Sequence, residues 1–231
     1  MNPVLLRDVI IGVAASICAI VLHELAHGYA ALALGDHTAE QAGRLSFNPL
    51  RHVDRFGTVI LPLFLVISQL LTIGRIAFMF GWAKPVPVDA RVFPNPRRDM
   101  ALVAAAGPAC NFILAFLSAL ALRVTGDAGF VADFLIYFLM FNVVLGLFNL
   151  IPLPPFDGGR IAVGALPLPL ARMLAQVERA GILAILLIIF VLPALLRQFG
   201  ILFDPVGEAL GTLVPRVATS ILHLAGSHVS L

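Results

Sequence analysis

Long apolar runs constrain the fold of this chain more than any other feature of its sequence. A helix needs about 20 residues to cross a bilayer whose hydrocarbon core is about 30 Å thick, and four runs are long enough to do so. Backbone groups inside a membrane must find partners within their own structure, which favours helices for these runs. The runs cover residues 6–34, 100–123, 130–150 and 180–203.

Composition agrees with lipid as the solvent. Of the 231 residues, 60% are apolar and 12% are charged, whereas soluble domains have roughly 45–50% and 25%. The net charge is +2 and no basic cluster is dense, so nucleic acid is not an expected partner. The first run carries a His-Glu pair and no small-residue cleavage pattern, so we interpret it as a retained helix. We expect one membrane-embedded domain over 1–231, with a core at 6–165 and C-terminal helices at 166–231.

A fifth apolar run, 57–73, is shorter and contains Pro62 and Gln69. Its length is at the lower limit for a crossing and suits a re-entrant or interfacial element equally well. We therefore predict an all-α polytopic membrane protein. It would be a helical bundle of about four to six transmembrane segments, with a short re-entrant or extended element between the first two core helices.

Two other segments lack a continuous apolar pattern. Residues 78–98 contain four prolines, at positions 85, 87, 94 and 96, which predict extended strand and turn because proline interrupts a helix. The tail 204–231 contains two prolines and apolar residues at mixed spacing. It is consistent with a short surface helix or with one more, poorly formed, membrane segment.

The first run contains the sequence HExxH, formed by His23, Glu24 and His27. Residues i and i+4 of a helix project from one face, so both imidazoles can reach one metal ion. Catalytic zinc usually has three protein ligands and an open position, and a glutamate beside the first histidine can act as a base toward water. Glu24 has that place in the sequence.

An HExxH sequence can arise by chance on an exposed helix of a soluble protein, where it has no function. This one lies among apolar residues. An ionisable group at membrane depth costs roughly 2.5–3.5 kcal/mol on insertion scales. Three such groups within five residues therefore need a compensating partner, and a metal ion is the simplest one.

Asp157 is the candidate third ligand. It lies in the stretch Leu150-Ile151-Pro152-Leu153-Pro154-Pro155-Phe156-Asp157-Gly158-Gly159, just after the third long run. The prolines should break the helix and the glycines allow close backbone approach, so we expect the carboxylate to be presented from irregular backbone lining a cavity. The alternative is an ordinary turn residue at a helix end, which Asp-Gly-Gly alone would suggest.

These motifs together resemble the site-2 protease family of intramembrane zinc metalloproteases. The resemblance rests on HExxH in the first helix, Ala-Gly-Pro at 106–108, and Asn149-Leu-Ile-Pro followed by Phe-Asp-Gly-Gly. The stretches GRLSFNP at 43–49 and GWAKPVP at 81–87 resemble its small, single-domain prokaryotic members. The resemblance covers roughly residues 10–165.

The resemblance implies one Zn²⁺ per chain, with His23, His27 and Asp157 as ligands and Glu24 as the general base toward a zinc-activated water. The substrates it implies are transmembrane proteins or peptides cut at a peptide bond. Asn149 falls on an asparagine that contacts substrate or the oxyanion, although it could equally cap a helix or satisfy carbonyls freed near Pro152. Asn111 is polar inside a membrane helix, and an interhelical hydrogen bond is its expected role.

Helix direction gives an expectation for topology. Both histidines and Asp157 lie toward the C-terminal ends of their segments, so the first and third long helices should run the same way. This holds if 100–123 alone crosses between them, and 57–73 should therefore enter without crossing. Eleven of the fifteen basic residues then fall on one side, which marks it as the cytoplasmic side, with the site opening toward it. The compact size and the absence of a targeting segment favour a prokaryotic plasma membrane.

Two other functions would fit a polytopic membrane protein. A catalytically silent scaffold on the same fold would tolerate loss of Glu24, yet all four core residues are present. A metal transporter would need polar residues along several helices. Residues 180–203 offer no such residue before Arg197. The remaining histidines, at 37, 52, 223 and 228, are interpreted as surface residues, and we assign no role to Cys18 or Cys110.

Overall fold

The computed structural model describes residues 3–74, 81–179, 189, 192–227 and 229. All regular structure within these residues is helical, which confirms the predicted all-α fold. The α-helices, in chain order, are α1 (Pro3–Ala33), α2 (Thr38–Gln41), α3 (Leu61–Ile73), α4 (Pro96–Thr125), α5 (Phe130–Asn149), α6 (Asp157–Ala165), α7 (Leu168–Arg179), α8 (Leu192–Gln198) and α9 (Pro205–Ala225).

Three of the helices described here are long and apolar enough to cross a membrane: Val4–Ala33, Pro96–Thr125 and Phe130–Asn149. They correspond to the first three predicted runs. Residues 180–188, 190 and 191 of the fourth predicted run, 180–203, lie outside the described residues; of the remainder, Leu192–Gln198 forms α8. The outer face of α1 is apolar and exposed, for example at Ile10 (57%), as lipid contact requires.

Helix α4 is the centre of the bundle and packs against α1, α5, α6 and α9. The core between α4, α5 and α9 is built largely from small and branched apolar residues, including Ala115, Ala119, Leu139, Val143 and Ala218. Small residues let helices approach closely. The tail therefore forms one helix packed on the core, rather than a helix lying free on the surface.

The fifth apolar run is also helical. It begins with a π-helical turn at Arg55–Ile60, where the Asp54 carboxylate accepts hydrogen bonds from the amides of Phe56 (3.0 Å) and Gly57 (2.6 Å). It continues as α3 and ends at Gly74, whose φ of +68° suits glycine. Whether this element crosses the membrane stays a prediction.

The segment 78–98 only partly follows its prediction. Its described part has no regular structure over 81–89, then a 3₁₀ turn at Ala90–Val92, so the expected turn is present but the expected strand is not. Helix α4 begins at Pro96, so the expectation of strand and turn is wrong for residues 96–98. Proline is tolerated there because the first amide of a helix has no helical partner in any case.

Candidate metal centre

Three sequence-predicted side chains, His23, His27 and Asp157, meet where α1 approaches the start of α6. The Nε2 atoms of His23 and His27 lie 3.3 and 3.2 Å from Oδ2 of Asp157 and 3.1 Å from each other. His23 and Asp157 are buried, at 5% and 7% exposed. One ion could therefore contact all three atoms.

The far side of each imidazole fixes where its proton lies. Nδ1 of His27 is 2.8 Å from the backbone carbonyl of Val103, which can only accept a hydrogen bond. Nδ1 of His23 is 2.7 Å from Oδ1 of Asn111. With both Nδ1 atoms donating, each neutral ring has a lone pair on Nε2, and these lone pairs face each other and a carboxylate oxygen.

This arrangement fits zinc. Tetrahedral zinc with bonds of about 2.0–2.2 Å places its ligand atoms about 3.3–3.5 Å apart, close to the three separations of 3.1–3.3 Å. Oδ2 of Asp157 is buried and has no hydrogen-bond donor. Three acceptor atoms without a proton between them repel one another, and a cation at their centre would remove that repulsion.

Asp157 is the first residue of α6, although irregular backbone was expected. The irregular part is the preceding turn, 150–156, which folds back over the helix start. A Cβ on Gly158 or Gly159 would collide with the backbone of Leu150 or Pro154, so only glycine permits this approach. The predicted close approach is thus confirmed, and the helix N-terminus further favours the carboxylate in its charged form.

Glu24 lies one residue after His23 and is half-buried. Its Oε2 accepts a hydrogen bond of 2.9 Å from the backbone amide of Val86. The next turn of α1 is in contact with the same segment, since a Cβ on Gly28 would meet the side chains of Leu45 and Val86. The segment 81–89 therefore holds the carboxylate in place.

Comparison with known proteins agrees with this site. A family model described as Peptidase family M50 matches residues 123–193. "Putative zinc metalloprotease YwhC" of Bacillus subtilis is 38% identical over 186 residues, which are 77% of this chain and 78% of that protein. The chain belongs to peptidase family M50. "Putative zinc metalloprotease Rip2" of Mycolicibacterium smegmatis is 32% identical over 193 residues, covering 83% of this chain and 69% of that protein. No solved structure matches.

Membership of the M50 family, the site-2 protease family, confirms the resemblance drawn from the motifs. It makes the protein a zinc metalloprotease, with peptides as the class of substrate, and the three long apolar helices indicate an integral membrane protein. The individual roles of the site residues, the zinc stoichiometry and the orientation stay predictions.

Gly107 of this M50 protein is a site residue that the sequence analysis did not single out. A Cβ at this position would collide with Nε2 of His27 and lie 2.6 Å from Cε1 of His23. Helix α4 therefore passes directly beneath both rings. The sequence signal was the Ala-Gly-Pro stretch, which was used for the resemblance without a structural reason.

The two asparagines of the sequence analysis differ in their contacts. Asn111 is fully buried and bonded to His23, so its hydrogen bond is interhelical, as expected, and also reaches the candidate ligand. The side-chain nitrogen of Asn149 donates to the carbonyl of Leu145 in its own helix (3.0 Å). Its substrate role stays a prediction.

The segment 81–89 is fixed by hydrogen bonds to the loops around it. The amide of Lys84 donates to the carbonyl of His52 (2.8 Å), and Arg44 donates to the carbonyl of Lys84 (2.7 Å). His52 is 3% exposed, so its interpretation as a surface residue is wrong. Its ring packs inside the loop because Nε2 donates to the carbonyl of Ser46 (2.8 Å).

Asp36 anchors the other end of this segment. Its carboxylate is 1% exposed and accepts hydrogen bonds from the hydroxyl and amide of Thr38 and from the amide of Asp89 (2.8 Å). Burial raises the pKa of Asp36, but these hydrogen bonds outweigh it and hold the pKa below its ordinary value. The charged form is thus the one that the fold stabilises.

This low pKa predicts a pH-dependent contribution to stability. Between the folded and unfolded pKa values the unfolded chain binds more protons, so the contribution is complete above the unfolded value of about 3.9 and is lost as the pH falls through the folded pKa. Asp36→Asn should lower the unfolding temperature at neutral pH, because its NH₂ group would face a donor amide, at a cost of about 1–3 kcal/mol. The difference from wild type should shrink in thermal melts below about pH 4; a constant difference would contradict it.

Proposed function

We propose that this protein is an intramembrane metalloprotease that hydrolyses peptide bonds of transmembrane substrates. One zinc ion would be held by His23, His27 and Asp157, with Glu24 as general base. The observation that carries the proposal is the convergence of two imidazole nitrogens and a carboxylate oxygen within 3.3 Å of one another, on a helix long enough to span a membrane and beside a carboxylate suited to proton transfer.

Zinc, when bound, would lower the pKa of a water molecule to about 7 and polarise the substrate carbonyl. Glu24 would take the proton of the attacking water and later give it to the leaving amine. The amide of Val86 keeps one carboxylate oxygen occupied, at 2.9 Å, and so aims the other. Asn149 would have to exchange its bond to Leu145 before its amide could contact substrate or the oxyanion.

A cavity of about 470 Å³ lies between α1 and α5, where its lining includes Ile20, one helical turn before His23, and it could admit an apolar part of a substrate. It is lined by Ser16, Ala19, Ile20, Pro62, Gly81, Phe141, Val144, Leu145 and Phe148. The substrate must be extended at the moment of cleavage, since a helix hides its carbonyls. The segment 78–88, of which 81–88 is described, could pair with it edge to edge. Pro85 and Pro87 have no amide hydrogen, so at those positions the segment could only accept hydrogen bonds from substrate.

The remaining expectations belong to the same proposal. The whole chain would act as one membrane-embedded domain in a prokaryotic plasma membrane, with the site opening toward the cytoplasm. The position of α9 on the core helices supports a single folding unit. An epitope-accessibility map that places 90–99 and 40–50 on opposite sides would exclude this topology.

The test compares wild type with Glu24→Gln, which keeps the size of the side chain and removes its basicity. Both proteins, purified in detergent, should bind about one zinc per chain, and the variant should cleave a model transmembrane substrate about 10²–10⁴-fold more slowly, the usual contribution of a general base. Glu40→Gln, at an exposed carboxylate of α2, is the matched control and should cleave normally. Equal cleavage by Glu24→Gln, or no zinc in wild type, would favour the scaffold instead.

A further inference from the structure

A line of buried amides connects α5 with His23. Asn142 of α5 and Asn111 of α4 are both 0% exposed. Nδ2 of Asn142 donates to the carbonyl of Phe138 (2.8 Å), and Nδ2 of Asn111 donates to Oδ1 of Asn142 (2.7 Å). Oδ1 of Asn111 then lies 2.7 Å from Nδ1 of His23. The line thus crosses three membrane helices.

The direction of every hydrogen bond in this line is set at its first link. The backbone carbonyl of Phe138 can only accept, so Asn142 must turn its NH₂ group toward it. The oxygen of Asn142 then faces Asn111 and requires the NH₂ group of that residue. Asn111 is left with its oxygen toward His23, whose Nδ1 must donate.

Reversal of the hydrogen-bond directions in this line would change the tautomer of His23. If Asn111 rotated by half a turn, its NH₂ group would face Nδ1 of His23, and the ring proton would move to Nε2. That nitrogen lies 3.3 Å from the Asp157 carboxylate and 3.1 Å from the other histidine. A protonated Nε2 has no lone pair for a metal. His27 does not share this dependence, because a backbone carbonyl, that of Val103, fixes its Nδ1 directly.

We propose that Asn142 is a positioning residue of the metal centre. It would orient the Asn111 amide and, through it, hold His23 in the tautomer that presents a free Nε2. This inference rests on the proposed function, because it takes His23 as a zinc ligand. Asn142 is two hydrogen bonds away from the candidate ligand and touches no reacting atom in this role.

A simpler role for the pair is to hold α4 and α5 together, since buried amides commonly join membrane helices. The two roles predict different behaviour. Helix association needs only that a hydrogen bond forms, whichever residue donates it. The tautomer of His23, in contrast, depends on which residue donates. A carboxylate at position 111 can only accept from His23, so it would fix the tautomer without help from Asn142.

The experiment uses Asn142→Leu, Asn111→Asp and the double variant of the full chain in detergent. Zinc affinity is measured by competition with a chromogenic chelator, and the histidine tautomers of the metal-free protein by ¹⁵N NMR. Asn142→Leu should bind zinc about 10–100-fold more weakly, the usual effect of losing an outer-shell partner. It should also populate the Nε2-protonated form of His23 while His27 stays unchanged.

The double variant should regain both the zinc affinity and the tautomer, and Asn142→Asp should resemble wild type, because a protonated carboxyl group can donate to Phe138 and accept from Asn111. Ser118→Ala, which removes another buried hydrogen bond within α4 (2.8 Å), is the control for general destabilisation. An Asn142→Leu variant with unchanged affinity and tautomer, or a double variant that is worse than either single one, would overturn the proposal. Absence of zinc from wild type would reject the proposed function, whereas the tautomer measurement would still test the amide line.

Discussion

Asp157→Asn should produce a folded protein without zinc and without protease activity. Asparagine has the shape of aspartate, but its NH₂ group can donate to the Nε2 lone pairs of His23 and His27, which lie 3.3 and 3.2 Å from Oδ2 of Asp157. The amide would thus satisfy the cluster without a cation. Zinc affinity should fall by more than the about 10- to 100-fold that loss of an outer-shell partner costs, and cleavage should fall to background.

The matched control for this substitution is Asp133→Asn. Asp133 lies near the start of α5, whereas Asp157 follows the other end of that helix. Asp133 pairs with Arg7 (2.6 Å). Zinc content is measured by elemental analysis, folding by thermal melts, and activity on a model transmembrane substrate. A zinc-loaded and active Asp157→Asn protein would show that the ligand set is wrong; a zinc-free protein that still cleaves would show that zinc is not the catalyst.

The spans and the convergence of the site could be predicted because each follows from a strong local signal. Membrane thickness sets a minimum helix length of about 20 residues, which the helices ending at Ala33 (30 residues) and Asn149 (20 residues) both reach. HExxH defines one face of α1, and the buried polar groups there left few candidates for the third ligand. Asp157 was the candidate, and the structure brings it to the two histidines from a segment more than a hundred residues away.

The hydrogen bonds that position the site residues could not be predicted in the same way, because they depend on which helices are in contact. Nothing local in the sequence shows that Val103 places its carbonyl at His27, or that Asn142 reaches Asn111. Burial of His52 was missed for the same reason, since it depends on the loop that folds around its ring. The tail was left open because its prolines obscure a helix whose partners lie on α4 and α5.

Gly107→Ala should remove zinc by displacing the ligands rather than by altering them. The new methyl group would occupy space now taken by Nε2 of His27 and would lie 2.6 Å from Cε1 of His23, and no such contact is tolerated. Either both rings or the whole of α4 would have to move, and ligand positions must be held to about 0.5 Å. We expect zinc affinity and cleavage to fall at least as far as in Asn142→Leu. Both should be measured together with thermal stability.

A control is needed for the general effect of replacing glycine by alanine, which inside a helix is favourable by about 1 kcal/mol. Gly12→Ala makes the same change in α1, where the added Cβ would meet Tyr137 at an ordinary 3.8 Å. That variant should keep its zinc and its activity. Loss of zinc from Gly107→Ala alone would therefore come from the metal centre and not from glycine replacement in general. Retention of zinc and full activity by Gly107→Ala would mean that α4 does not lie beneath the two histidines, which would also remove the basis for the positioning of His23 by Asn111.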